Sequence, residues 1–268
     1  MTISLGFIGV GNMGGAMIAG LARSGDLKIL GYDPDRFKLD RLAKDFGLIP
    51  VDNAPMVARE SDYIIYAVKP GLMESVVRQT VPELSGSKCL VSIAAGIPIA
   101  RLVSWSDEKY PVVRIMPNTP ALIGRGVFAL CLDHDKISSG QKDILTRIIS
   151  GLGKTFILPE KFFDLFTALI GSGPAYVYYF MESMVEAGVV LGLDRNTTTI
   201  MVKELFAGSS QMSLPGDIHL SKLREMVTSP GGTTMAGLNA LEKNTVRDSI
   251  IEAVETAMKR SAELGNEP

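Results

Sequence analysis

Two short stretches of this 268-residue chain are built to hold anions: Gly9-Val10-Gly11-Asn12-Met13-Gly14 and Ser229-Pro230-Gly231-Gly232-Thr233-Thr234. In the second, Ser229-Pro230 ends one helix, the paired glycines make a close turn, and a new helix starts at the threonines. A helix start with small residues presents unpaired backbone N–H groups and the positive end of the helix dipole. That is a seat for a small carboxylate. In the first, an apolar strand runs into the glycines and a helix opens behind them, the context in which Gly-x-Gly-x-x-Gly holds a dinucleotide pyrophosphate. Gly9 allows the tight turn, Gly11 lets the backbone approach the phosphates, and Gly14 lets helix and strand pack closely. A seat for a dinucleotide and a seat for a small acid in one chain suggest an oxidoreductase.

More residues gather around the first seat. Asp33 follows the glycines by about twenty residues, where a carboxylate accepts hydrogen bonds from the adenosine ribose hydroxyls. That favours NAD and repels a 2′-phosphate. Arg36, one turn on, is placed to pair with that phosphate instead, so NADH and NADPH both stay open. Ala67-Val68-Lys69-Pro70 ends a long strand at the edge where dinucleotides lie in open α/β sheets. Lysine at such a strand end is more often solvated than aimed at a ligand.

These residues need a scaffold. Short apolar runs at 5–9, 28–32, 63–68, 90–94 and 112–116 alternate with helical patterns such as 13–24 and 36–46. Continuous apolar strands separated by amphipathic helices mean parallel strands buried on both faces. Runs at 126–132 and 155–158 extend the sheet at one edge. Beyond Leu158 the strand patterns stop and helical ones take over: 162–170, 174–191, 195–213, 218–227, 233–243 and 245–264. The expected fold is α/β: a Rossmann-type parallel-sheet domain at 1–159 and an all-helical domain at 160–268. Tyr176-Val177-Tyr178-Tyr179-Phe180-Met181 is apolar all round its helix and needs enclosing on every side. A second subunit is a natural way to do that.

Composition removes other classes. The formal net charge is −2, which gives no basic surface for nucleic acid or an anionic membrane. Two cysteines in apolar runs read as buried thiols, and two histidines without ligand-like spacing offer no metal site. No apolar run reaches membrane-spanning length, and no charged region precedes an apolar one at the N-terminus. The expectation is a soluble, cytoplasmic protein.

Taken together, the motifs resemble those of the pyrroline-5-carboxylate reductases along essentially the whole chain. The resemblance rests on Phe7–Gly14, Ala67-Val68-Lys69-Pro70, Ser92-Ile93-Ala94-Ala95-Gly96 and Arg114-Ile115-Met116-Pro117-Asn118-Thr119-Pro120. It continues through Gly171-Ser172-Gly173-Pro174-Ala175-Tyr176 to Ser229–Thr234. It implies a helical dimerisation domain and hydride transfer from NADPH or NADH to the imine carbon of 1-pyrroline-5-carboxylate, giving proline. It also implies cofactor contacts at Gly11, Asn12, Met13, Asn53, Ala67, Val68, Lys69 and Ala95, with Pro70 closing the strand-end motif. The substrate carboxylate would fall on the N–H groups of Gly232, Thr233 and Thr234 behind Gly231, with the Thr234 hydroxyl nearest the ring nitrogen. Glu160 could reach the substrate region by family position. Asp33 is unusual for a family that mostly prefers NADPH, and Leu220 stands where members often carry proline.

The chemistry fits an imine. A carbonyl reductase needs an acid for the developing alkoxide, and none of these motifs carries a histidine. An imine nitrogen can take its proton before the hydride arrives, so the enzyme has mainly to orient two reactants. The alternatives are a related cyclic imine, a β-hydroxyacid dehydrogenase, or a nucleotide-binding module without turnover. The dehydrogenase would need a lysine on the first long helix of the second domain, and 173–188 contains none.

Overall fold

The computed structural model describes residues 2–266. Its first half alternates strand and helix: β1 (Ile3–Ile8), α1 (Asn12–Leu21), β2 (Leu27–Tyr32), α2 (Arg36–Phe46), β3 (Ile49–Pro50), α3 (Ala54–Glu60), β4 (Tyr63–Tyr66), α4 (Met73–Thr80), β5 (Cys89–Ser92), α5 (Ile99–Trp105) and β6 (Val112–Met116). β7 (Gly126–Cys131), α6 (Ser139–Ser150) and β8 (Gly153–Ile157) complete the sheet. Its order is β3-β2-β1-β4-β5-β6-β7-β8, parallel throughout except for the antiparallel β6–β7 pair.

The chain walks from β1 to β3 in one direction and from β4 to β6 in the other. The reversal leaves a crevice at the carboxyl ends of β1 and β4, where open α/β sheets bind their ligands. Both faces are covered, which is why the strands read as unbroken apolar runs. Leu5, Phe7, Val91 and Val113 pack with Met17, Ile18 and Leu145 on one side. Ile8, Ile64, Tyr66 and Leu90 pack with Val57, Val77 and Leu102 on the other.

After β8 come α7 (Phe163–Phe166), α8 (Gly173–Val190), α9 (Arg195–Ser213), α10 (Leu220–Met226), α11 (Thr233–Lys243) and α12 (Val246–Asn266). Gly171-Ser172-Gly173, which reads as a turn before a new helix, instead lies in nearly continuous helical backbone. A π turn over Thr167–Gly171 absorbs it, closed by Ser172 N–H donating to Thr167 O at 2.8 Å.

Two compact units emerge: Met1–Ser172 with Thr256–Pro268, and Gly173–Glu255. In the second unit the buried apolar side chains are Val185 and Val202, while Tyr178 is 61% exposed, Tyr179 69% and Val190 81%. That is too little burial for an independent core, and exposed apolar area of this extent marks an association surface. Among the described residues, no helix is long and apolar enough to cross a membrane.

Candidate active site

The glycine turn after β1 shows three different constraints. Gly9 has φ +93°, and a Cβ there would lie 2.6 Å from Ala67 O. A Cβ on Gly14 would lie 2.4 Å from Gly9 O. At Gly11 a Cβ would meet nothing within 4 Å. The first two glycines serve the fold, whereas Gly11 faces open space. No side chain caps α1, and Gly15 N–H to Gly11 O at 2.8 Å is its first internal bond. The N–H groups of Asn12, Met13 and Gly14 therefore end the helix without protein acceptors among the described residues. Open donors beside a cradle that a Cβ would fill suit a pyrophosphate.

The other expected cofactor residues stand at the same sheet edge. Asp33 follows β2; its Oδ2 accepts from Val10 N–H at 2.9 Å and its Oδ1 from Asp35 N–H at 2.9 Å. Its carboxylate thus ties the end of β2 to the glycine turn. Arg36, by contrast, donates to Asp40 at 3.0 Å in an exposed pair, an interaction of little energetic weight. Ala67 N–H donates to Ile8 O at 2.8 Å, carrying the β1–β4 pairing to the mouth of the crevice. Val68, exposed Lys69 and Pro70 follow. Ala95 lies just past β5. Asn53 caps α3, its Oδ1 accepting from Met56 N–H at 2.9 Å.

The second anion seat lies in the helical unit. Gly231 turns the chain with φ +68°, and Gly232 is the N-cap of α11, again with no capping side chain. Gly232 N–H itself donates back to Ser229 O at 3.1 Å, and the helix's first internal bond is Ala236 N–H to Gly232 O at 3.2 Å. Turn closure thus occupies Gly232 N–H, and the open donors are those of Thr233, Thr234 and Met235. Both threonine side chains are exposed.

Glu160 belongs to the sheet unit, where its Oε1 accepts from Ile99 N–H at 2.7 Å and pairs with Arg114 at 3.2 Å. Arg114 went unweighed as a functional residue in the sequence. The available signal was a lone charge in the otherwise apolar β6, Val-Val-Arg-Ile-Met. Other chemical groups have structural uses. Burial pushes the Cys89 thiol up to about 12, which withholds its thiolate. Glu186 is bound by Arg195 at 2.6 Å, and His219 caps α10.

Comparison with known proteins agrees over the whole length. A family model described as pyrroline-5-carboxylate reductase dimerisation matches residues 160–264. One described as NADP oxidoreductase, coenzyme F420-dependent, matches residues 4–96. The pyrroline-5-carboxylate reductase of Pseudomonas aeruginosa is 35% identical over 269 residues, covering 99% of this chain and 98% of the relative. That of Glycine max is 36% identical, covering 97% and 96%. The crystal structure of the Plasmodium falciparum pyrroline carboxylate reductase with NADP bound superposes with a TM-score of 0.90 at 36% identity, over 98% of both chains.

Proposed function

This chain belongs to the pyrroline-5-carboxylate reductase family, and from that premise we propose a role for each part of its site. The reaction is reduction of the C=N bond of 1-pyrroline-5-carboxylate to L-proline, the last step of proline biosynthesis. The observation that supports the site assignment best is the pair of uncapped helix starts, α1 behind Gly11 and α11 behind Gly232. Bound NAD(P)H supplies the hydride. The N–H groups of Asn12, Met13 and Gly14 would hold its pyrophosphate, and Asp33, Asn53, Ala67, Val68, Lys69 and Ala95 would line its binding site.

The N–H groups of Thr233, Thr234 and Met235 hold the substrate carboxylate, and Gly231 and Gly232 shape that turn. Thr234 Oγ1 sits by the ring nitrogen and keeps the protonated imine turned toward the incoming hydride. The nitrogen carries its proton before reduction, so hydride addition to carbon yields a neutral amine and the protein need not deliver a proton in that step. Orientation alone is worth on the order of 7–11 kcal/mol at best, which fits a site with few acid–base groups.

We assign 1–159 to the cofactor and 160–268 to dimerisation and substrate, following the family match from residue 160; in the fold, 160–172 and 256–266 nonetheless pack with the sheet unit. The chain self-associates, and we assign its interface to the exposed apolar faces of α8 and α9. The α8 face also lines an apolar cavity of about 500 Å³ with α11 and α12, through Tyr176, Phe180, Met184, Leu241 and Ile250. A cytoplasmic setting accords with two buried, unpaired cysteines. Consumption of NADPH or NADH on addition of 1-pyrroline-5-carboxylate tests the assignment.

Cofactor choice follows from Asp33. With its carboxylate pinned beside the turn, Asp33 sets a negative charge against a 2′-phosphate, while Arg36, held only in a weak exposed pair with Asp40, is free to offset it. Both NADH and NADPH fit this site, with Asp33 disfavouring the 2′-phosphate. Asp33→Asn should raise the NADPH-to-NADH ratio of kcat/KM by at least about tenfold, the scale of a close like-charge contact near the surface. An unmoved ratio would place the 2′ position away from Asp33.

A further inference from the structure

We propose that Arg114 and Glu160 form a positioning latch for the loop 95–99, and so for the nicotinamide half of the cofactor. The Arg114 side chain is only 4% exposed, on a central strand. Its Nη1 reaches Glu160 Oε1 at 3.2 Å, its Nη2 faces Asp164 at 3.9 Å, and its guanidinium lies over the Phe163 ring at 4.9 Å. Burying a charge this deeply is costly unless its partners are held in place. The same Glu160 oxygen accepts the first N–H of α5, at Ile99, where Pro98 as N-cap has no side chain to offer. The cation fixes the carboxylate, and the carboxylate fixes the start of α5.

The loop is held from its other side too. Gly96 has φ +77°, and a Cβ there would sit 2.8 Å from Ser261 O and 2.9 Å from Gly265 N. Arg101 Nη1 donates to Gly265 O at 2.8 Å. Ser261 Oγ donates to Asp164 Oδ1 at 2.7 Å, which returns the chain of contacts to Arg114. Gly96 and Ile99, on either side of this loop, are thus held against the end of α12 and the Arg114–Glu160 pair, and the loop carries Ala95 between β5 and them. In a doubly wound sheet the two halves serve the two mononucleotides. The ends of β4 and β5 lie on the half away from Asp33, so Ala95 falls to the nicotinamide side. The latch rests on that proposed placement of the cofactor.

The test compares NADH with ADP, which carries the adenosine and phosphates but no nicotinamide, by binding titration on the full-length protein. Wild type should bind NADH more tightly than ADP. Glu160→Gln keeps size and an acceptor but removes the charge. It should weaken NADH binding about tenfold, the equivalent of one charge-assisted hydrogen bond, and leave ADP within about twofold of wild type. Should Glu160→Gln fail to fold, Ser261→Ala loosens the other side without touching the buried charge and should show the same selectivity. Equal loss for both ligands would reduce the pair to a general structural anchor and overturn the latch, as would unchanged binding of both. Wild type that binds ADP but gains nothing from the nicotinamide would instead remove the cofactor placement, and the latch with it.

Discussion

Gly11→Val should lose at least about 100-fold in affinity for NADH and NADPH while its melting temperature moves by only a few degrees. The two effects separate because Gly11 is not a strained position. Its φ of −63° is open to any residue, and a Cβ there meets no protein atom within 4 Å. The space it fills is the space that the α1 N–H groups face. Blocking it forfeits two or three charge-assisted hydrogen bonds, each worth roughly 1.5–3 kcal/mol. Gly14→Val is the informative contrast. Its Cβ would lie 2.4 Å from Gly9 O, so binding and stability should fall together. Isothermal titration beside a thermal melt reads both. Retained nucleotide affinity in Gly11→Val would overturn the assignment of the α1 seat.

Thr234→Ala should lower kcat by about 10- to 150-fold, the loss of one hydrogen bond to a charged group at roughly 1.5–3 kcal/mol. Thr234 is exposed at the start of α11, and its hydroxyl makes no hydrogen bond among the described residues. Removal should therefore leave folding and cofactor affinity intact. The backbone N–H groups assigned to the substrate carboxylate survive the substitution, so KM for substrate should rise less than kcat falls. An equal loss of turnover and cofactor affinity would show that the residue acts somewhere else.

Much of this arrangement was legible in the sequence because it depends on local backbone rules. Val112–Met116, Arg36–Phe46, Arg195–Ser213 and Thr233–Lys243 fall where periodicity puts them. β4 and β5 end two residues sooner than their apolar runs: Ala67 makes one last bond to Ile8 O, and Ala94 N–H turns to the Ser92 hydroxyl instead of a neighbouring strand. β3 escaped notice because it has two residues, one of them proline. Gly171-Ser172-Gly173 misled because a π turn accommodates glycine inside helical backbone, and no pattern of apolar spacing announces one.

The site divides along the same line. The two helix starts were readable because glycine and threonine at a helix N-terminus have a local physical meaning. Which N–H groups stay open was not, since Gly232 closes its own turn on Ser229. The partnership of Arg114, Glu160, Asp164 and Ser261 joins residues far apart in sequence, and only folding shows it. Asp33 was readable as an acid at the carboxyl end of β2. Its hydrogen bond to Val10 N–H, which fixes its carboxylate at the turn, was not.

The central claim is best tested by following the absorbance of NADH and of NADPH in separate reactions after 1-pyrroline-5-carboxylate is added to the purified protein. The account predicts rapid, substrate-dependent oxidation of at least one of the two, with formation of proline. Protein that binds the dinucleotide yet consumes neither cofactor would contradict the assigned reaction.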